Sequence, residues 1–125
     1  MNRTVTRYRE VEPYITKDGS VIRELMHPQH HNARQQSLAE AIVPANSETQ
    51  RHRHLASEEI YHVTRGKGLM LLGDQPIEIS IGDTIAIPPG TPHKLINPNT
   101  EALHVLCACS PAYSHDDTEL MEELA

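Results

Sequence analysis

The 125-residue chain has no phenylalanine, no tryptophan and only four tyrosines. The aromatic platforms on which single-stranded nucleic acid stacks therefore have little to be built from. Two cysteines, Cys107 and Cys109, are too few and too close together for a disulfide framework. As neighbouring same-face positions of one strand, their Cα atoms would stand about 6.5–7 Å apart, at or beyond the reach of a disulfide. They read instead as small buried apolar side chains. No apolar run approaches the roughly 18 residues of a membrane span. The opening Met-Asn-Arg-Thr-Val-Thr-Arg lacks the apolar segment of a secretory signal, so a cytoplasmic protein is expected. A basic surplus is missing as well. Net charge is −6, and the last eleven residues carry five acidic groups and no Lys or Arg, which leaves the body of the chain at −1. A near-neutral body offers no field to hold a polyanion, so neither nucleic acid nor membrane is an expected partner.

What is present is one domain's worth of chain, 1–125, with a modest aliphatic content: Leu, Ile and Val number 27. A core of that size is thin, and small folds of this kind gain stability by oligomerising or by binding a metal. A homodimer is expected, with strands exchanged between subunits as one form. Nine histidines in so short a chain direct attention to metal.

Short strands and turns fill the sequence. Residues 11–16 and 20–26 flank Lys17-Asp18-Gly19, and Asp-Gly favours a hairpin turn with positive dihedrals. Residues 27–34 are polar and aperiodic, a loop in which His27, His30 and His31 are expected to be solvated. Residues 36–43 have helical propensity, but Pro44 stops them early and Ile42-Val43 favour a strand. Further strands are expected at 50–54, 59–64, 68–72, 77–81, 84–87, 93–96 and 103–110. Ile77, Ile79 and Ile81 alternate with polar residues at period two. Many short strands between Gly, Pro and Asp turns argue for an all-β sandwich or barrel. The tail breaks the pattern: Ser114 with Asp117 resembles a capping box, and Leu120, Met121 and Leu124 form one apolar stripe, so a short C-terminal helix is expected. The chain thus divides into N-terminal strands 1–35, a barrel 36–110 and an acidic tail or helix 111–125.

Chemistry-bearing residues gather in two clusters. In a strand, His52 and His54 project to one face, and Glu59 opens the next strand at hairpin distance. Borderline divalent metals favour mixed imidazole and carboxylate ligands, although an exposed His-x-His pair is also common. Glu58 is a rival to Glu59, but adjacent strand residues face opposite ways and only one can enter a site. The second cluster runs Gly82, five residues, Pro88-Pro89-Gly90-Thr91-Pro92-His93, three residues, Asn97. Taken alone, it could be two turns and a surface histidine.

Together the clusters resemble the two motifs of the cupins. The first motif of that family reads Gly, five residues, His-x-His, three or four residues, Glu, six residues, Gly, and is matched by His52, His54, Glu59 and Gly66. The six residues between Glu59 and Gly66 fit Glu59 and not Glu58. The second motif is matched at Gly82, Pro88, Gly90, His93 and Asn97, and 15 residues, 67–81, separate the two. One position departs: Asn46 stands where the leading glycine is usual, and Asn tolerates the left-handed conformation better than most residues. The chain is similar to small single-domain cupins such as the mannose-6-phosphate isomerase-like and oxalate decarboxylase-like proteins.

The resemblance implies a double-stranded β-helix, or jelly-roll barrel, holding one divalent metal per chain on His52, His54, Glu59 and His93. Such a set leaves about two octahedral positions open, and Fe, Mn, Zn, Ni or Co would all accept it. The implied function is a metal-dependent enzyme (isomerase, lyase or dioxygenase) acting on a small oxygen-rich molecule such as a sugar, keto or hydroxy acid, or diketone. The alternative is a non-catalytic metal cupin that binds a small ligand. Three residues are candidates for catalytic roles. Tyr61 shares the inward face with Glu59 and could donate to substrate, or be a core tyrosine. Glu40 would be an acid or base if its strand turns it inward, and a solvated glutamate otherwise. Arg23 could clamp a carboxylate or phosphate, or lie on the surface or at a dimer interface. His104 reads as a satisfied core histidine or as a donor behind the site.

Overall fold

A computed structural model describes residues 3–122. A 3₁₀ turn, Tyr8–Glu10, precedes twelve antiparallel strands: β1 Tyr14–Ile15, β2 Val21–Met26, β3 Ser37–Val43, β4 Ser47–Glu48, β5 His52–His54, β6 Glu58–Arg65, β7 Lys67–Leu72, β8 Gln75–Ser80, β9 Thr84–Ile87, β10 His93–Asn97, β11 Leu103–Ser110 and β12 Thr118–Leu120. One sheet runs β1-β2-β3-β11-β6-β9, the other β12-β5-β10-β7-β8, with β4 on β10. The all-β barrel and its N-terminal hairpin are as expected: Tyr14 pairs with Ile22 across the Lys17-Asp18-Gly19 turn, where Gly19 has φ +93°. Among the described residues, no helix is long and apolar enough to cross a membrane.

Alternation along the strands fills the space between the sheets. Val43, Val63, Met70, Ile87, Leu95, Leu103 and Val105 are all at most 2 % exposed, and Tyr61 is the core's aromatic residue. The shortage of aromatics is thus met by aliphatic side chains packed two sheets deep. Ile79 is buried, whereas Ile81, past the end of β8, is 67 % exposed.

Two backbone positions show why motif residues are chosen for conformation. Asn46 has φ +53°, the left-handed region, so it does what the usual glycine would do. Gly66 has φ +81°, and a Cβ there would sit 2.5 Å from the Ala102 carbonyl oxygen; both conformation and space require glycine. Asn97 is fully buried and donates through Nδ2 to the carbonyls of Val43, Pro44 and Glu101, so the last residue of the second motif pins two stretches of backbone to its own strand.

Among the described residues the expected C-terminal helix is absent. Ser114 and Asp117 form a turn, with Asp117 N–H donating to Ser114 C=O at 3.2 Å, and the chain then extends as β12. Thr118, Glu119 and Leu120 pair with His54, Arg53 and His52. The edge of β5 offers these residues a ladder of hydrogen bonds that a short isolated helix, costly to nucleate, does not match. Leu124, part of the expected helical stripe, lies outside the described residues.

Candidate metal centre

Strand register brings the first cluster to the second. His52 on β5 is directly opposite His93 on β10, and His54 lies two residues along the same inward face. Glu59 comes from β6, in the facing sheet, so the group spans the barrel interior. Glu58 is exposed and Glu59 is 4 % exposed, which settles the choice between them. His52, His54, Glu59 and His93 are all buried, and one potential ligand atom from each lies within 4.8 Å of all the others. These residues could hold a metal ion.

The tautomers can be read from the surrounding acceptors. His52 Nδ1 is 2.9 Å from Gln50 C=O and His93 Nδ1 is 2.9 Å from Thr91 C=O; carbonyls only accept, so both Nδ1 atoms carry hydrogen. His54 Nδ1 is 3.0 Å from the Thr118 hydroxyl, whose own hydrogen goes to Ser114 C=O at 2.8 Å, so His54 Nδ1 also donates. A neutral ring protonated at Nδ1 presents a bare lone pair at Nε2. Backbone or hydroxyl partners behind each ring are the usual arrangement for metal-ligating histidine.

Those lone pairs meet a carboxylate. Glu59 Oε1 is 3.1 Å from His54 Nε2 and 3.3 Å from His93 Nε2. His93 Nε2 is buried without a hydrogen-bond partner among the described residues. Acceptors facing one another in a buried site need a cation or protons between them. The donor set therefore fits a divalent ion.

The electrostatics agree in direction. Burial alone would raise the Glu59 carboxyl, but where no ion is bound, protons on the Nε2 atoms of His54 and His93 would take its place, and their attraction outweighs burial and holds the carboxyl well below the ordinary range. His52 is pushed down to about 4 by burial and by the neighbouring His93, with Asp18 pulling the other way. Asp18 Oδ2 stands 3.7 Å from His52 Nδ1. The second Glu59 oxygen, Oε2, accepts from the Cys109 thiol at 3.2 Å. Cys109 is thus more than apolar filling: it holds Glu59 in place. Its register partner across β11 and β6 is Glu59 itself.

Beside the four residues lies a cavity of about 50 Å³, walled by Tyr61, Tyr113, Thr16, Asp18 and Glu24 among others. Tyr61 lines it as the inward face of β6 requires, and its ring centroid is 5.7 Å from that of His93. Burial, and then Glu59, pushes the Tyr61 hydroxyl far above its ordinary value, so it stays protonated.

Glu40 and Arg23 are elsewhere. They are cross-strand partners on β3 and β2, 3.6 Å apart, on the outer face of the sheet. The inner face of β3 carries Ser37, Ala39 and Ala41, which line the cavity. Glu40 is neither interior to the barrel nor solvated: the Tyr8 hydroxyl donates to it at 2.5 Å, and Arg23 stacks on the Tyr8 ring at 4.8 Å. His104 also faces outward, 3.6 Å from Glu40, and is not a core histidine. His27, expected in solvent, is 5 % exposed: its Nε2 donates to Tyr113 C=O at 2.7 Å and its Nδ1 accepts from Gln29 N–H. His30 is exposed and His31 half-buried. Sequence reasoning missed Asp18, Thr118 and Tyr113. Asp18 was legible only as a turn residue, and the other two lie in a tail whose strand pairing has no local signal.

A jelly-roll of two antiparallel sheets with a convergent three-histidine, one-carboxylate group inside it is a cupin-type barrel with a candidate metal site. Residues 39–109 match the family model described as "Cupin domain", and the chain belongs to that family. It is 54 % identical over 117 residues, 94 % of each chain, to the uncharacterized protein MJ1618 of Methanocaldococcus jannaschii. Among solved structures it is similar to a uridine complex of a Streptomyces PAC13 variant (17 % identity, 100 % and 95 % of the chains covered, TM-score 0.79). It is also similar to the polyketide cyclase RemF of Streptomyces resistomycificus (23 %, 94 % and 89 %, TM-score 0.74) and to a predicted oxalate decarboxylase of Thermotoga maritima (21 %, 86 % and 99 %, TM-score 0.75). At these identities the structural likeness establishes the fold.

Proposed function

We propose that the protein is a divalent-metal-dependent enzyme acting on a small oxygen-rich molecule. The observation that carries this reading is the convergence of His54 Nε2 and His93 Nε2 on Glu59 Oε1, with His52 inside the same 4.8 Å cluster and His93 Nε2 buried and unpartnered, next to a cavity lined by His52, His54 and Glu59. A divalent ion held there by His52, His54, Glu59 and His93 supplies Lewis-acid polarisation of a substrate carbonyl or hydroxyl. The chain does the rest. Thr118, Gln50 and Thr91 fix the imidazole tautomers, and Cys109 fixes the Glu59 rotamer. Tyr61, kept protonated, donates a hydrogen bond to a substrate oxygen in the cavity. The neighbouring folds include an enzyme described as a nucleoside dehydratase and a polyketide cyclase, which supports chemistry on oxygen-rich molecules. A ligand-binding role without turnover is the competing reading.

Mass spectrometry of protein purified without tag or chelator tests the proposal, with about one divalent metal per chain expected. His52→Ala and His93→Ala are each expected to lower that content sharply while far-ultraviolet dichroism is retained. Full stoichiometry in either variant overturns the ligand assignment. Iron together with dioxygen uptake on adding a diketone selects oxygenase chemistry; zinc, manganese, nickel or cobalt without uptake selects isomerase or lyase chemistry. Bound metal with no turnover on any of these substrates selects the binding role.

The same reading takes the cytoplasmic protein as a homodimer. The outer face of the first sheet carries Leu38 and Ile60, 38 % and 41 % exposed, on either side of Ala108. Sedimentation equilibrium is expected to give twice the 14.0 kDa chain mass, and a monomer at micromolar concentration would remove the dimer from the proposal.

A further inference from the structure

Resting on the metal-enzyme reading, the charge of the cavity narrows the substrate. Three carboxylates line it: Glu59 at the ligand cluster, Asp18 beside His52, and Glu24. Their side chains grow more accessible in that order, at 6 %, 12 % and 18 %, so the negative charge extends from the ligand cluster toward solvent. None of the lining residues is a lysine or arginine. Lys17 lies near the wall, but its ammonium donates to the carbonyls of His115 and Thr118. Arg23, the one residue expected to clamp an anion, is on the opposite face of its strand, paired with Glu40. A divalent ion on the four ligands would bring +2 against three carboxylates and leave the lined space at net −1. Partly buried charges are weakly screened, so an anionic substrate would enter against that field.

Apart from the two imidazoles of the ligand cluster and two buried thiols, the remaining polar side chains on the wall are neutral hydroxyls. Thr16 Oγ1 and the Tyr113 hydroxyl are 3.2 Å apart, and the Tyr14 hydroxyl donates to Glu24 at 3.4 Å. Hydroxyls and carboxylates are the groups that accept from and donate to the hydroxyls of a polyol or hydroxy-ketone. The cavity of about 50 Å³ has room for a few water-sized groups, which sets the scale at a few carbons.

We propose that the site takes a small uncharged hydroxy-carbonyl or polyol and discriminates against carboxylates and phosphates. Asp18 and Glu24 supply that discrimination.

The test uses the full chain loaded with Co(II), whose visible absorption reports ligand entry. Two probes of similar shape differ in charge: dihydroxyacetone is neutral, and hydroxypyruvate carries a carboxylate. Dihydroxyacetone is expected to shift the Co(II) bands with an apparent Kd at least threefold below that of hydroxypyruvate. Glu24→Gln is expected to lower the ratio of the hydroxypyruvate Kd to the dihydroxyacetone Kd at least threefold, and an unchanged ratio overturns the inference. Asp18→Asn should act in the same direction, and added salt should narrow the gap in the native protein. Hydroxypyruvate binding as well as or better than dihydroxyacetone in the native protein overturns the inference, and so does a spectrum that neither probe moves. A chain that takes up no Co(II) fails at the metal reading itself, and this inference falls with it. Normal Co(II) bands with the wrong charge preference overturn the inference alone.

Discussion

At Glu59 two opposing effects act on one carboxyl group. Burial favours the neutral acid, but the imidazoles of His54 and His93, 3.1 and 3.3 Å away, favour the anion and win. His52 shows the reverse balance, because burial and His93 outweigh the attraction of Asp18. Both shifts make the metal-free protein acid-sensitive. An unfolded chain protonates His52 near its ordinary value of 6.5, whereas the folded chain resists until about 4. The unfolded state therefore binds more protons in that window, and stability, complete above it, falls as pH drops through it. Glu59 acts in the same sense lower down: its contribution is present above the ordinary 4.5 and is lost on further acidification. Urea midpoints of chelator-treated protein are expected to fall between about pH 7 and pH 4.5, in line with these shifts. A flat profile would contradict this account of the site. Bound metal competes with the same protons, so metal content is expected to fall over the same range.

Strand β12 acts at the scale of the element. It is three residues long, and its pairing with β5 puts the Thr118 hydroxyl against His54 Nδ1. The contact fixes which nitrogen of His54 faces the site. Replacing Thr118 with Val keeps the β-branched shape and the backbone ladder but removes the acceptor. Metal affinity is expected to fall about 10–100-fold, as for other groups that orient ligating histidines. Competition with a chromogenic chelator measures this, and unchanged affinity would remove β12 from the site. The turn before β12 also matters, since Asp117 accepts from the backbone N–H groups of Ala56 and Ser57 in the loop between β5 and β6. The tail thereby braces the loop that separates His54 from Glu59. The N-terminal hairpin does comparable work from the other side, because the tight turn that seats Gly19 at positive φ also places Asp18 near His52.

For the molecule as a whole, the two sheets close over an aliphatic core, and the candidate metal-ligand group occupies the space that core leaves. Leu103 and Val105 are fully buried at its centre. Leu103→Ala is expected to cost about 2–5 kcal/mol. Glu122→Ala, at an exposed position, should stay within about 0.5 kcal/mol. Denaturant unfolding separates the two, and equal stability would contradict the assigned core. The candidate ligand group was legible through its resemblance to the cupin motifs. His52 and His54 are two residues apart on a strand, Glu59 opens the next strand after a short turn, and His93 follows a run of turn-forming prolines and glycine. Period-two alternation and turn chemistry are local properties, so residue spacing encodes them. The strand at β3 was legible for the same reason, but which of its faces turns inward was not, because alternation alone is symmetric. Closure of the barrel put Ala39 and Ala41 inside and left Glu40 with Arg23 and Tyr8 outside. Partners far apart in the chain were equally hidden: Thr118 meets His54 across 64 residues and Cys109 meets Glu59 across 50. The sequence by itself determined the all-β class and the turns, because each follows from short-range geometry, and its resemblance to the cupin motifs implied the four candidate ligands. Only the tertiary structure decided the tail's strand, the groups that hold the ligands and the charge of the cavity, because those depend on which distant strands share an edge.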